Sequence, residues 1–280
     1  MVKEYSLLDS GDLYRLERFG DFVLSRPCPQ ALWKPTLKRE IWDKADASFS
    51  REGSGGWKIR TRLPDQWIVE LSQVKFKISL TDFGHVGLFP EHSLIWNEMR
   101  SLIRSRTHEP NILNLFAYSG GATLAAAQAG AQVCHLDASK GMVSWARDNA
   151  ALNELSHAPI RWIVDDVMKF LLREIKRGVR YDGIILDPPT FGRGNKGEVF
   201  KIEREIQPLL HLCRSVLSEH PLFVYFTSHT PGMTPMVLQH LLEQMMQGEQ
   251  GDVSAREMVL PAERGLGIPY GSVALWKGPL

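Results

Sequence analysis

The chain has 280 residues, and its 33 basic and 32 acidic side chains leave a formal net charge of +1. This length supports a substantial buried core and an appended smaller unit, whereas the balanced charge excludes a global field that attracts polyanions. The three cysteines, Cys28, Cys134 and Cys213, form no CxxC pair, which argues against a disulfide framework or a zinc knuckle and favours the reducing cytosol.

Residues 1–80 are predicted to form a small β-rich unit. The opening MVKEYSLLDSGD has no basic region followed by an apolar core, and no window approaches 18 apolar residues, so we expect a soluble, cytoplasmic protein with no membrane partner. The alternating segments FVLSR, WKIRTRL, WIVELS and KFKISL are separated by turn signals. The composition of SREGSGG (residues 50–56) predicts a flexible loop.

Residues 81–280 are predicted to alternate between helices and strands. The helical LIWNEMRSLIRS comes first, followed in order by NILNLFA (strand), GATLAAAQAG (helix), AQVCHLD (strand), SKGMVSWARDNAALN (helix), IRWIVD (strand), VMKFLLREIKRG (helix), YDGIILD (strand), HLCRSVLSE (helix), LFVYFTS (strand), PMVLQHLLEQMMQ (helix) and the strands REMVL and SVALW. This alternation predicts an α/β fold with a doubly wound, mostly parallel, seven-stranded Rossmann-like sheet. Ligands of such sheets bind outside the carboxyl ends of the strands.

The first strand of this sheet is followed by a glycine-containing turn. NLFAYSGG (residues 114–121) places the bulky Phe116 and Tyr118 before its only glycine pair, whereas a pyrophosphate needs the pattern G-x-G-x-x-G. The turn therefore favours a less anionic ligand with a carboxylate and an apolar linker, and it makes an NAD-linked dehydrogenase remote.

Acidic residues follow the second and third strands. Asp137 lies 17 residues beyond Gly120, close to the position of an acid that binds ribose hydroxyls. Asp165 or Asp166 could accept a hydrogen bond from the adenine amine. Each acid could equally be only the N-cap of the next helix. Together they predict an adenosine pocket without phosphates.

The fourth strand ends in DPPTFG. Its prolines remove two amide donors and stiffen the turn, so Asp187 and the Pro188 carbonyl are available to accept hydrogen bonds from a planar amine. Phe191 can stack on such a base. The stretch predicts a base-sized slot, and the following GRGNKGE is a candidate substrate lid.

These motifs together resemble those of class I S-adenosylmethionine-dependent methyltransferases. More narrowly, NLFAYSGGATLAAAQAGA, HLDAS, DDVMKFL and DPPTFGRG are similar to motifs of the large-subunit ribosomal RNA methyltransferase family. GLFPEHSLIW (residues 87–96) resembles the segment that precedes the sheet in that family and covers the cofactor. The resemblance extends over residues 80–280, and it does not clearly include the family's usual RNA-binding module.

The resemblance implies a role for each motif. Phe116, Tyr118, Ser119, Gly120 and Gly121 would surround the methionine moiety of S-adenosylmethionine. Asp137 would hold the ribose, Asp166 and Val167 would frame the adenine, and Phe89 and Pro90 would close over the cofactor. The same motifs add Asn114, Ala138, Ser139, Asp165 and Asp187 to the predicted cofactor contacts. The residues predicted at the transfer point are Asp187, Pro188, Pro189 and Phe191.

One departure from the family bears on the target atom. Members that methylate cytosine at C5 attack the base with a cysteine after the fifth strand, and the matching segment YFTSHT has Thr227 there. A threonine hydroxyl is a poor substitute for a thiolate. We therefore expect transfer to a nitrogen, as in guanine-N7 or exocyclic-amine modification. No metal is implied, because the nine histidines show no HxH or HExxH spacing.

The predicted partner is RNA, and the expected contacts are Arg100, Arg104 and Arg106, or Arg193, Lys196 and Lys201. Arg173, Lys176, Arg177 and Arg180 more readily form a solvated helix face. His229, just beyond the fifth strand, could orient the substrate. Alternatives are a methyltransferase for a protein side chain or small amine, and a non-catalytic cofactor-binding scaffold. The oligomeric state stays open between monomer and homodimer.

Overall fold

The computed structural model describes residues 4–51, 55–193, 197 and 199–279. These residues form two compact units. The first takes in the described residues as far as Leu94 together with Val259–Tyr270, and the second contains Ile95–Met258 and the described residues from Gly271 onward. The predicted boundary between residues 80 and 81 falls inside the first unit, and the sequence did not indicate that residues 259–270 join it.

The first unit consists of short strands and two short helical segments. Its elements are β1 (Tyr5–Gly11), β2 (Tyr14–Phe19), β3 (Phe22–Pro27), α1 (Arg39–Trp42), β4 (Ala47–Ser50), β5 (Gly56–Ile59), β6 (Trp67–Leu71), β7 (Val74–Ile78) and a 3-10 helix (Pro90–His92). The strands β1 to β5 form one sheet in chain order, and β6 and β7 form a separate hairpin. Three residues of the predicted SREGSGG loop, 52–54, lie outside the described residues.

A buried ionic cluster connects β1, β2 and β3 of the first unit. Glu17 is fully buried and accepts hydrogen bonds from Tyr5 Oη at 3.0 Å and from Arg26 Nε at 2.7 Å and Nη2 at 2.8 Å. Burial alone would raise the pKa of Glu17, but Arg15 and Arg26 hold it below its usual value. Removing either arginine would leave a buried charge poorly compensated.

The second unit contains the longer helices, a seven-stranded sheet and a two-stranded hairpin. Three of its elements begin or end with residues assigned to the first unit. Its elements are α2 (Ser93–Arg104), β8 (Asn111–Leu115), α3 (Gly121–Gln128), β9 (Gln132–Asp137), α4 (Lys140–Leu152), β10 (Ile160–Val164), α5 (Val167–Arg177), β11 (Gly183–Leu186), β12 (Phe191–Arg193), β13 (Val199–Lys201), α6 (Ile202–Ser215), β14 (Phe223–Ser228), α7 (Pro235–Met245), β15 (Asp252–Leu260) and β16 (Ile268–Lys277). None of the helices in the described ranges has the length and apolar character needed to cross a membrane.

The strands of the second unit confirm the predicted α/β sheet. Its seven strands have the order β10-β9-β8-β11-β14-β16-β15. β8, β9, β10, β11 and β14 are parallel, whereas β16 runs antiparallel to β14. Only glycine fits at position 183 of β11, because a Cβ there would lie 2.8 Å from both Ile112 Cδ1 and Phe223 Cε2. Because β8 and β11 pair in parallel, their carboxyl ends are neighbours.

Helix α6 differs most from the sequence-based expectation. The helix was expected at HLCRSVLSE, but it begins at Ile202, nine residues earlier, and ends at Ser215. Pro208 lies inside it, and a proline usually marks a helix boundary because it lacks an amide donor. The buried residues Ile202, Ile206 and Leu209 recur at helical spacing, so core packing stabilises the helix through the proline.

Candidate functional site

The turn after β8 combines unusual backbone conformations. Phe116 and Tyr118 have φ of 56° and 48°, and Gly120 has φ of 91°. Positive φ is uncommon for aromatic residues and is retained where the surroundings enforce it, often at functional sites. A Cβ at Gly120 would lie 3.0 Å from Ala146 Cβ. The turn thus brings its backbone close to α4, and α3 starts immediately after it.

A polar network lies beneath this turn. Asn114 is buried and donates from Nδ2 to Thr123 Oγ1 at 2.9 Å, and that oxygen lies 2.9 Å from His135 Nδ1. His135 is fully buried, and burial together with Arg147 lowers its pKa to about 3. The imidazole is therefore neutral at physiological pH. Asn114 supports the turn from below, and its predicted contact with a cofactor stays a prediction.

Asp137, at the end of β9, holds two backbone segments together. Its Oδ2 accepts from Tyr118 N at 2.9 Å and its Oδ1 accepts from Ser139 N at 2.8 Å. Burial raises the pKa of this carboxyl, and the two backbone hydrogen bonds oppose the shift. An ionised carboxylate has about four acceptor positions, so Asp137 has capacity left for two hydroxyl donors. Ser139 itself is the N-cap of α4, accepting from Met142 N at 3.3 Å.

The two acids after β10 have different partners. Asp166 is the N-cap of α5, and its Oδ1 accepts from Lys169 N at 3.0 Å. Asp165 accepts from Asp166 N at 2.9 Å and forms an ion pair with Arg173. Val167, the first residue of α5, is buried. The capping of α5 is therefore a sufficient structural reason for an acid at position 166, and the second carboxylate oxygen of Asp166 can still make the predicted adenine contact.

Asp187 lies directly after β11 and is held by residues from β14 and the turn beyond it. Thr227 Oγ1 donates to Asp187 Oδ1 at 2.8 Å, and His229 Nδ1 lies 3.5 Å from the same oxygen. The Asp187 side chain is 25% exposed, whereas Thr227 as a whole residue is 1% exposed. The buried Thr227 hydroxyl therefore donates to the Asp187 carboxylate, and the His229 imidazole lies beside the same carboxylate.

The prolines lead from Asp187 into a small hairpin. Pro188 is buried and Pro189 is exposed, and Thr190 Oγ1 lies 2.8 Å from Thr230 Oγ1. β12 then pairs antiparallel with β13, which places Phe191, 50% exposed, opposite Lys201. In the predicted lid GRGNKGE, residues 194–196 and 198 lie outside the described residues.

An aromatic contact connects this hairpin to the turn after β8. The rings of Phe116 and Phe200 are 5.4 Å apart in an edge-to-face arrangement. Edge-to-face pairs at this distance are favourable. The predicted cofactor turn and the predicted base slot are therefore in contact through side chains.

Two predicted cofactor residues belong to the first unit. Phe89 has its ring 5.6 Å from the ring of His85 and 6.0 Å from that of His92. Pro90 is buried and opens the 3-10 helix. Their closure over a cofactor stays a prediction.

The basic residues divide into engaged and exposed groups. Arg100 was expected to contact RNA, but it is 2% exposed and donates to Asn97 Oδ1 at 3.1 Å and Gln128 Oε1 at 3.0 Å. It is therefore structural, and that expectation was wrong. Arg104 is exposed, and Arg106 donates to the backbone oxygen of His220.

All three cysteines are buried and unpaired. Burial raises the pKa of Cys28 and of Cys134 to about 11, and it also raises the pKa of Cys213. Because the thiolate is the nucleophilic form, these thiols are inert near neutral pH.

The residues after β8, β9 and β11 suit a ligand that carries an adenosine and a short charged tail. Asp137 offers acceptor positions for ribose hydroxyls, the glycine turn allows close approach of the backbone, and no phosphate cradle of the type G-x-G-x-x-G is present in the fully described turn. The site therefore fits S-adenosylmethionine better than a dinucleotide.

Comparisons with known proteins agree with this fit. A family model described as S-adenosylmethionine-dependent methyltransferase matches residues 48–217. The crystal structure of an SAM-dependent methyltransferase from Agrobacterium tumefaciens is 36% identical and superposes with a TM-score of 0.94, covering 99% of this chain and 91% of that one. The structure of SMU.776, described as a methyltransferase and solved with SAH, superposes at 0.78 with 20% identity, covering 98% of this chain and 76% of that one.

The curated relatives include ribosomal RNA large subunit methyltransferase K/L from two bacteria. The protein from Pseudoalteromonas translucida is 35% identical over 153 residues, which is 54% of this chain and 21% of the relative. The protein from Syntrophotalea carbinolica is 30% identical over 192 residues, 68% of this chain and 25% of the relative. The chain thus spans only about a fifth to a quarter of the length of these relatives.

Proposed function

Because the chain belongs to the S-adenosylmethionine-dependent methyltransferase family, we propose that it methylates a nitrogen of an RNA base, in ribosomal RNA, without a cysteine nucleophile. The names of the curated relatives support the choice of RNA. The choice of nitrogen is supported by the hydrogen bond that the Thr227 hydroxyl donates to Asp187 and by the raised pKa values of the buried cysteines.

The observation that carries this proposal is the hydrogen bond from Thr227 to Asp187. By resemblance, Thr227 occupies the position at which enzymes that methylate cytosine at C5 have their nucleophilic cysteine. Its hydroxyl is buried and donates to Asp187 Oδ1 at 2.8 Å, so its proton already has an acceptor and its oxygen has no route to a base. With burial holding the pKa of Cys134 and Cys28 near 11, about one thiol in 10,000 is ionised at pH 7. A covalent attack on C6 of a pyrimidine therefore has no suitable donor among these groups.

The proposed mechanism needs little from the protein beyond positioning. When bound, S-adenosylmethionine supplies a methyl group that its sulfonium already activates. Asp187 accepts a hydrogen bond from an exocyclic amine of the base and so orients the base for the transfer. Thr227 keeps the Asp187 carboxylate in one rotamer.

The proton that an exocyclic amine loses needs an acceptor. His229 Nδ1 lies 3.5 Å from Asp187 Oδ1, close enough for the proton to pass from the carboxylate to the imidazole and then to solvent, since the His229 side chain is 31% exposed. Phe191, half exposed on β12, would stack on the target base. These roles remain part of the proposal.

The test is transfer of labelled methyl from S-adenosylmethionine into purified large-subunit ribosomal RNA, total cellular RNA and total cellular protein, followed by mass-spectrometric analysis of the nucleosides. We expect label in RNA, in a purine or cytosine methylated at nitrogen. Label in 5-methylcytidine would contradict the absence of a cysteine nucleophile. Label only in protein or small amines would favour the alternative substrate class.

A further inference from the structure

The first unit contains a pocket whose basic residues have no assigned part in the proposed methyl transfer, although Phe89, a predicted cofactor residue, also lines it. Its walls include Arg15, Arg26, Arg51 and His85 together with the aromatic Phe83 and Tyr270. The cavity itself has a volume of about 50 Å³, which is room for a few water molecules or one phosphate-sized group. All its lining residues belong to the first unit.

Arg15 in this pocket has hydrogen-bonding capacity that the described residues do not use. It is 5% exposed, and neither its Nε nor its Nη1 has a hydrogen-bond partner within the described ranges. Its Nε lies 3.2 Å from Glu17 Oε2 without the geometry of a hydrogen bond, and its guanidinium lies 4.5 Å from the centre of the Tyr270 ring. A buried guanidinium with unsatisfied N–H groups is costly, but both atoms are themselves buried, so Arg15 acts on a ligand in the pocket through its charge.

Arg26 differs from Arg15 in that its donors are used. Its Nε and Nη2 bind Glu17, and its Nη1 donates to the backbone oxygen of Gly84 at 3.1 Å. Arg26 therefore fixes the pocket wall, whereas the exposed Arg51 is available to a ligand.

The pocket carries an excess of positive charge. Glu17 offsets one of its three arginines, and Glu91 also acts on Arg15. This positive charge acts on His85, whose pKa is lowered by burial and by the charges of Arg26, Arg51 and Arg15. Its imidazole is thus neutral near pH 7, and it can donate one hydrogen bond to an anion without adding charge.

An exposed aromatic ring stands at the same pocket. Phe83 is 77% exposed, so its ring is open to a stacking partner. Nucleic-acid bases stack on exposed aromatic side chains, and basic groups beside them bind the backbone phosphates. Arginine and an exposed ring in one pocket match that chemistry better than they match an acidic peptide, which presents no flat base.

We propose that this pocket holds the phosphate of one nucleotide of single-stranded RNA, with Arg51 on the phosphate, His85 donating to it and Arg15 attracting it through its charge, while the base stacks on the exposed ring of Phe83 outside the cavity. The inference rests on the proposed RNA substrate and assigns the first unit a part in holding that RNA. The Tyr270 ring packs against the Arg15 guanidinium at 4.5 Å.

The test is fluorescence anisotropy of the full chain with a labelled eight-nucleotide single-stranded RNA, in the absence of cofactor. The variants are Arg51→Ala and Phe83→Ala, which change exposed side chains and leave folding intact. Their matched controls are Arg62→Ala, an exposed arginine outside the pocket, and Leu32→Ala, which is 77% exposed like Phe83. Melting temperatures check that all four variants fold.

We expect Arg51→Ala to weaken RNA binding about five- to tenfold and to reduce the slope of log Kd against log salt by about 0.7, the value for one phosphate on a single strand. Phe83→Ala should weaken binding about tenfold and should have no effect on an abasic oligonucleotide of the same length. Arg15→Lys, which keeps the charge beside Glu17, should leave RNA affinity within twofold of the wild type. The controls should stay within twofold of the wild type.

Three results would overturn the inference: unchanged RNA affinity in Arg51→Ala and Phe83→Ala, equal loss in their controls, or binding of a glutamate-rich peptide as tight as that of the RNA. Its failure is distinct from failure of the proposed function. Methylation of RNA with normal RNA affinity in the pocket variants would refute only the pocket, whereas RNA binding at the pocket without methyl transfer to any RNA would refute only the proposed substrate.

Discussion

The substitution Thr227→Val removes the hydrogen bond to Asp187 while nearly preserving side-chain volume. Hydrogen bonds to charged acceptors contribute about 1.5–3 kcal/mol. If Asp187 keeps that contact in the transition state, the loss corresponds to about a 10- to 150-fold decrease in kcat/KM. The Asp187 side chain is 25% exposed, so water can replace part of the interaction, and we expect a value near tenfold.

The assay is the initial rate of labelled methyl transfer to ribosomal RNA at subsaturating RNA, with calorimetry to measure cofactor affinity. Thr227→Ser keeps a hydroxyl in reach of Asp187 and serves as the control, with activity within about threefold of the wild type. Cofactor affinity should change less than twofold in both variants. Full activity in Thr227→Val would refute a role for this contact, and a covalent RNA adduct on Thr227 would refute the non-covalent mechanism.

Three further predictions follow from the site. Phe191→Ala should lower methyl transfer more than tenfold with cofactor affinity within twofold, and Val199→Ala, an equally exposed position on the paired strand, is its control; equal loss of transfer and cofactor binding would contradict the stacking role. Asp137→Asn should raise the cofactor Kd about tenfold or more in calorimetry, because an amide has one acceptor oxygen for two backbone donors; an unchanged Kd would remove Asp137 from the site. The pKa of His135 is lowered to about 3 in the folded chain, whereas an unfolded histidine binds its proton near pH 6.5. The free energy of unfolding should therefore fall by up to about 1.4 kcal/mol per pH unit as the pH drops from 6.5 towards 3. In urea denaturation, the wild type and His135→Gln should differ in this dependence on pH, and an equal dependence would contradict the buried neutral imidazole.

The sequence predicted the second unit well because its signals are local. Apolar runs such as residues 111–115 and 183–186 are short, continuous and bounded by polar residues, as in buried parallel strands. Connection rules then restrict the possible strand orders, and in the structure β11 pairs with β8, which brings the residues after both strands to the same edge of the sheet. The family resemblance supplied the identity of the cofactor.

The features that the sequence missed depend on contacts between distant residues. Residues 259–270 join the first unit through pairings such as Glu263 N with the oxygen of Leu7 and Ser10 Oγ with the oxygen of Leu266, and no local pattern indicates them. The proximity of Thr123 to His135 likewise depends on α3 packing against β9. The early start of α6 was missed because Pro208 interrupts its local pattern.

The acids after the strands show why position alone does not define a role. Asp137, Asp166 and Asp187 follow three strands of one sheet, yet their partners differ: two backbone amides, the amide of a helix N-terminus, and a threonine hydroxyl with a histidine beside it. A carboxylate that accepts from backbone amides is fixed in place and can hold a ligand. A carboxylate that accepts from a side-chain hydroxyl and borders a titratable imidazole can also pass on a proton. Among these three acids, Asp187 is therefore the one whose surroundings suit chemistry at the base, and substitution of its partners should affect methyl transfer before it affects cofactor binding.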